Sequence, residues 1–298
     1  MTSTPPTSEL PWIDLGPGSR VVADAHLDAA DEAACEPFVR WTRELEGAPA
    51  LAVLGDLFDV WVGPAQARMP GAAAVLDALA ELAGAGTRVV IVPGNRDFLL
   101  DRSFEQRARA RVAPEGFRAR IGDERSGRVA VCVHGDTLCT LDRDYQRLRR
   151  VLRSAPVQWI APRLPLWTGT ALARRLRRAS VRAIAAKPSQ EKSVQPSAAA
   201  ALARAQGASL VVCGHAHAYR DVVLEGGVRW IVLDAFGGER SVVTVARDGS
   251  LAIGAPATTL GLEARSAFGD AARASSEGRR TNPSGLESRG PEPGDRSP

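Results

Sequence analysis

A chain of 298 residues, 45% hydrophobic and 24% charged, can hold one large domain or two modest ones and has the composition of a soluble globular protein. No run approaches the ~18 consecutive apolar residues of a membrane span, and Met1 to Pro11 has neither the basic start nor the apolar core of a secretory signal. The net charge of +4 conceals an asymmetry: residues 143–192 carry 13 Lys/Arg against Asp144 and Glu191, leaving 25 basic and 32 acidic residues elsewhere, so one segment is marked for an anionic partner.

Residues 1–17 are rich in Pro, Ser and Thr and are expected to be flexible, ahead of a domain over 18–262. A first strand is expected at 19–23 and a helix over 28–46, with Phe38, Trp41 and Leu45 as its apolar stripe. A strand at 50–54 precedes an Ala/Leu-rich helix at 72–83, which Gly84 and Gly86 end. Next come a strand at 88–92, a helix over 104–111, and runs at 117–121 and 129–133 that read as a hairpin. Residues 144–186 read as helical, basic and punctuated by Pro156, Pro162 and Pro165, an insertion set between site-bearing strands. A helix at 196–205, a strand at 210–213 and closing strands at 229–233 and 241–246 follow; the Gly/Ser/Pro/Arg-rich stretch 265–298 reads as disordered. The four cysteines form no CxxC pair, which suits buried free thiols in a reducing cytosol.

Five of the apolar runs end in a polar group. They are Asp24-Ala-His26, Gly55-Asp56, Gly94-Asn95-Arg96-Asp97, His134-Gly-Asp136 and Gly214-His215-Ala-His217, and together they hold all four histidines of the chain. In open α/β sheets, ligand sites lie just beyond the carboxyl ends of strands. Any one of these motifs alone reads as a turn or a helix cap; as a set on strand ends they read as a metal site. Carboxylate, amide and imidazole donors without thiolates suit Mn, Fe, Zn or a similar divalent ion. Seven donors are too many for one ion and suit two, which roughly 3.5–4 Å apart can clamp the attacking and leaving oxygens of a phosphoryl displacement.

The ordered set resembles that of the calcineurin-like metallophosphoesterases, over about residues 19–246. That resemblance implies an α/β fold, an αββα two-sheet sandwich with a helical lid insertion. It also implies one ion held by Asp24, His26 and His217, a second held by Asn95, His134 and His215, and Asp56 bridging. Within the superfamily, Gly55-Asp-Leu-Phe-Asp-Val-Trp-Val-Gly63, Gly94-Asn-Arg-Asp-Phe-Leu-Leu100 and His134-Gly-Asp-Thr-Leu-Cys-Thr140 resemble the UDP-2,3-diacylglucosamine pyrophosphohydrolases of lipid A synthesis. The activity so implied is hydrolysis of a pyrophosphate bond with two Mn2+ or other divalent ions, giving UMP and 2,3-diacylglucosamine 1-phosphate (lipid X). Asn95, Arg96, Asp142, Arg177, Ser180, Lys187 and His215 are the substrate-binding positions it implies. Ala23, Ala25 and Lys192-Ser-Val-Gln195 depart from the pattern, where Ser, Leu and Met-Asp-Val-Asn are usual.

Arg96 stands where most of the superfamily has a histidine able to protonate an alkoxide. Arginine cannot usefully donate a proton at neutral pH but stabilises anionic oxygens. A diphosphate expels a phosphate monoester of low basicity, so Arg96 favours diphosphate cleavage, with Asp56 and Asn95 as its neighbours in catalysis. Trp159, Trp167 and the leucines among the arginines of the insertion suit an interfacial lid on the cytoplasmic face of the inner membrane. The alternative is a calcineurin-like phosphodiesterase for another nucleotide or for nucleic acid, whose phosphates the same arginines would track. A membrane-peripheral binding protein without activity is a third reading, against which the intact donor set argues.

Overall fold

The alternation within Ala50-Leu-Ala-Val-Leu54 shows how the chain builds its layers. As strand β3 (Ala50–Leu54) it turns Leu51 and Val53 to one face and Ala50, Ala52 and Leu54 to the other, all buried. In the computed structural model, which describes residues 9–121, 127–173, 175 and 193–256, this strand lies inside one of two six-stranded sheets. Its sheet runs β12 (Leu251–Gly254), β11 (Val242–Val245), β2 (Arg20–Val22), β3, β4 (Arg88–Val92) and β5 (Arg111–Val112), parallel from β2 to β5. The other runs β1 (Trp12–Asp14), β6 (Phe117–Ile121), β7 (Arg128–Cys132), β8 (Leu210–Cys213), β10 (Arg229–Val232) and β9 (Arg220–Val223), with β7, β8 and β10 parallel.

Three apolar clusters then separate four layers. Leu51, Val53 and Ile91 pack with Phe38 and Trp41 of helix α1 (Glu32–Arg43) and with Val75, Leu76 and Leu79 of α2 (Pro70–Gly84). Ala52, Leu54 and Val90 face Phe117, Ala130, Cys132 and Val212 across the space between the sheets. Val131, Val211 and Trp230 turn outward under Leu202 of the helix Pro196–Ala205. The expected αββα sandwich is the one observed, and removing a leucine such as Leu54 from its centre would cost about 2–5 kcal/mol. All four cysteines are buried and free, and burial pushes each thiol up to about 12.

Two expectations need correction. Residues 12–14, within the stretch expected to be flexible, form β1 parallel to β6, and Leu10, Ile13 and Leu15 are buried. Three residues are too few to display a period of two in the sequence. The helix expected to reach 111 is α3 (Arg102–Ala108); Arg109 takes a left-handed conformation (φ 50°) and Arg111–Val112 pairs with β4. The insertion enters as α4 (Arg143–Leu152), with Asp142 as its N-cap, and α5 (Ala155–Ile160), then a turn at Ala161–Arg163 and helix from 166. Residues 265–298 lie outside the described residues. No helix among the described residues is long and apolar enough to cross a membrane.

Candidate metal centre

Parallel strands that start together end together, and five of them end here. β2, β3 and β4 of one sheet deliver Asp24, Asp56 and Asn95, while β7 and β8 of the other deliver His134, His215 and His217. Of six non-glycine residues with positive φ among the described residues, five are Asp24, His26, Asp56, His215 and His217, with φ from 49° to 69°. That conformation costs on the order of 1–2 kcal/mol each for a side chain with a Cβ. Hydrogen bonds enforce it: Asp24 N donates to Gly55 O (3.1 Å), His26 N to Asp56 O (2.9 Å) and Gly214 N to His134 O (2.9 Å). The glycines of the motifs are needed for space. A Cβ on Gly55 would fall 2.1 Å from His134 Nδ1, on Gly94 2.0 Å from Asp56 Oδ1, and on Gly214 2.2 Å from Asp24 Oδ2.

The expected donors converge. His26 Nε2 and His217 Nε2 lie 3.0 Å apart, with Asp24 Oδ1 3.5 Å from the latter. His134 Nε2 lies 3.1 Å from both Asn95 Oδ1 and His215 Nδ1, and its Nδ1 is 3.0 Å from Leu54 O, which can accept its proton and leave the Nε2 lone pair inward. Asp56 faces both groups, its Oδ2 4.0 Å from His26 Nδ1 and its Oδ1 3.9 Å from His134 Nε2. Asp24 is shared as well: its donor atoms cluster within 4.8 Å with those of His26 and His217, and separately with those of Asp56 and His134.

The chemistry of this set fits divalent cations. Asp24 Oδ1 and His26 Nδ1 are buried without a hydrogen-bond partner, which is costly unless something else meets them. Burial pushes the Asp56 carboxyl up to about 7, and it pushes His26 down to about 3 and His215 down to about 4. Neutral imidazoles and buried carboxylates of this kind are ligands in need of positive charge.

Arg96 stands beside the cluster. Its backbone N donates to Asp56 Oδ1 (2.9 Å), its Nε lies 3.5 Å from Asp56 Oδ2, and its Nη1 donates to Asp59 Oδ1 (2.7 Å). Asp59 and Asp97 have no role in the sequence reading. Asp97, fully buried, accepts from Gly94 N (2.6 Å) and Leu57 N (2.8 Å), tying the Asp56 loop to the Asn95 loop.

The base of the insertion is tied to the same loops. Arg149 Nε donates to Asp136 Oδ2 (2.9 Å), as does the Tyr145 hydroxyl (2.7 Å), and Arg153 donates to the carbonyls of Pro93 (3.1 Å) and Gly94 (3.0 Å). Two arginines of the basic segment therefore hold the site and do not face a partner, a distinction that a charge count cannot make. Asp142 is buried and its carboxylate accepts from Tyr145 N at the start of α4. Arg177, Ser180 and Lys187 lie outside the described residues. Trp159, Ile160, Leu164 and Trp167 are exposed.

Comparison with known proteins identifies the family of the chain. Residues 20–219 match the family model of the calcineurin-like phosphoesterases. A protein of Ralstonia nicotianae named UDP-2,3-diacylglucosamine hydrolase is 39% identical over 72% of this chain and 82% of its own length. One of the same name from Aeromonas hydrophila is 35% identical over 76% of this chain and 94% of its own. Among solved structures, a dimetal phosphatase from Danio rerio aligns over 77% of this chain and 93% of that one, at 14% identity and a TM-score of 0.39.

Proposed function

Since the chain belongs to the calcineurin-like phosphoesterases and is a metal-dependent hydrolase, we propose that it cleaves the pyrophosphate bond of UDP-2,3-diacylglucosamine in lipid A synthesis, releasing UMP and 2,3-diacylglucosamine 1-phosphate. The observation that carries this reading is Arg96, held at the edge of the donor cluster where a proton donor would serve an alkoxide leaving group. The names of the relatives support the same substrate.

In this reading Asp24, His26 and His217 would hold one ion and Asn95, His134 and His215 the other, with Asp56 available to both. Two divalent cations, manganese in this proposal, would when bound supply Lewis acidity to the phosphoryl oxygens and the attacking water. Asn95, His215 and Arg96 meet the phosphoryl oxygens, and Arg96 takes up the charge that moves onto the departing phosphate. Asp142 and, from the insertion, Arg177, Ser180 and Lys187 bind the sugar nucleotide. Ser180 can donate to a sugar or phosphate oxygen, and Lys187 offers a compact charge to the diphosphate. Exposed Trp159, Ile160, Leu164 and Trp167, with Arg163 stacked 4.4 Å from the Trp159 ring centre, support a peripheral position on the cytoplasmic face of the inner membrane.

The test is UMP release from UDP-2,3-diacylglucosamine in detergent or vesicles with Mn2+ present. Phosphorus analysis should place the new oxygen on UMP, as attack on the α-phosphorus requires. Turnover of single-stranded nucleic acid without detergent, and none of the acylated sugar nucleotide, would overturn the substrate and favour the nucleotide-directed phosphodiesterase.

A further inference from the structure

Residue 59 ends the strand-to-site stretch that begins at Ala50, and neither the fold nor the donor set accounts for its carboxylate. Its backbone is fixed: Asp59 N donates to Leu27 O (3.0 Å). The loop around it is fixed too. Trp61 is buried against Phe58 and Phe104, ring centres 5.1 and 5.6 Å away, and Gly63 lies so close to Pro162 of the insertion that a Cβ would fall 2.8 Å from its Cα. From this loop Asp56 takes the Arg96 backbone N, Trp61 N donates to Arg96 O (3.2 Å), and Asp59 Oδ1 accepts from Nη1 at 2.7 Å. With Nε also turned toward Asp56, Nη2 is left without a protein partner among the described residues.

A guanidinium on a long side chain beside two divalent cations is repelled by them and gains entropy by swinging into water. A carboxylate outside the donor cluster, on a rigid backbone, opposes both effects. Arginine suits this arrangement because its planar fork can be gripped on one edge and present the other, which the single ammonium of lysine cannot do. We propose that Asp59 is a positioning residue that holds Arg96 with Nη2 directed to the reacting phosphate; this rests on the role given to Arg96 above. The pair is part-exposed, at 31% for Asp59 and 29% for Arg96, so its contribution to stability is small and its effect falls on catalysis. Asp59 Oδ1 also lies 3.5 Å from His26 Nδ1, which offers a rival route through the metal ligand.

A double-mutant cycle with Asp59→Ala and Arg96→Ala separates the routes. It is read on UDP-2,3-diacylglucosamine and on the nitrophenyl ester of a nucleoside monophosphate. Asp59→Ala alone should lower kcat roughly 10- to 100-fold, the usual effect of losing an orienting partner, with metal content and melting temperature unchanged. In the Arg96→Ala background the same substitution should change kcat by less than about twofold. Asp59→Asn, which keeps the acceptor and loses the charge, should fall between Asp59 and alanine. Equal losses in both backgrounds, a fall in metal content, or no loss at all would each overturn the assignment. If Arg96→Ala itself retains full rate, the reading of Arg96 fails and the role of Asp59 fails with it. If the intact protein cleaves the nitrophenyl ester but releases no UMP, the substrate is wrong, and the cycle on the ester still decides the role of Asp59.

Discussion

The two halves of the donor cluster are built alike and exposed differently. Asn95, His134 and His215 converge where His134 is almost wholly enclosed, its ring fixed between Leu54 O and its two neighbours. Asp24, His26 and His217 converge where the His217 side chain is 40% exposed and His26 16%. Enclosure strengthens charge interactions and makes each lost partner costly; exposure permits exchange with water and entry of substrate. In the proposed reading each half holds an ion, the one around His134 with a ligand fixed inside the protein and the other, with Arg96 and Asp59 at its rim, with histidines that water and substrate can reach.

The largest effect should come from the residue that faces both halves. Asp56→Ala should abolish turnover and lower metal content below that of any other single donor variant, since the proposed reading sets this carboxylate between two cations; two full equivalents in that variant would remove the distinction it rests on. Arg96→His, at the open rim, should slow diphosphate cleavage by roughly 10²–10³, the scale of losing one preorganised donor. It should harm a phosphodiester with a poor leaving group less, and equal losses on both would make Arg96 structural.

A direct comparison of the halves uses metal-free protein. His134→Ala leaves Leu54 O buried without its donor and should destabilise by about 1–3 kcal/mol, whereas His217→Ala should stay within about 0.5 kcal/mol. Chemical denaturation of the two would show whether enclosure matters as argued.

A smaller effect is expected from pH. Burial pushes Asp56 up to about 7, so below that pH the metal-free site is protonated and an ion must displace the proton. Proton release on metal uptake should therefore be larger at pH 6 than at pH 8, and affinity should fall as the pH drops. Stability of the metal-free protein runs the opposite way for this group: its contribution is present below the ordinary carboxylate range and lost as the pH rises through about 7. Calorimetry in buffers of different ionisation enthalpy measures the proton count.

The smallest change serves as a control away from both halves. Gln195 occupies the N-cap of the helix Pro196–Ala205 without capping it. Gln195→Asn should raise stability by about 0.5–1 kcal/mol with no change in metal content, and a change in metal content would mean that the helix reaches the site.

Much of this was legible in the sequence because the buried strands are short and apolar on both faces. The strands Ala50–Leu54, Arg88–Val92 and Leu210–Cys213 fall where the apolar runs fall. The donors were legible because each follows such a run directly. The edges were not: Arg220–Val223 is exposed throughout, so no pattern marks it, and Trp12–Asp14 is too short to show one. Nor was the grip on Arg96 or Gly94, because Asp59 lies 37 residues from its partner and Arg153 lies 59 from its own. A contact at that separation exists only once the fold has brought its members together.

That Asp24, Asp56 and Asn95 come from one sheet and the histidines at 134, 215 and 217 from the other has a consequence during synthesis. The first three leave the ribosome early, but the last donors follow Asn95 by more than a hundred residues, a delay of roughly 10 s at ordinary elongation rates. Over that interval the nascent chain presents Asp24, His26, Asp56 and Asn95, joined part-way by His134, and an ion it met would find the set incomplete without His215 and His217. Full coordination arrives only when the second sheet has closed on the first. On the proposed ligand assignment metal uptake would then be a late event, available to chains that have already folded.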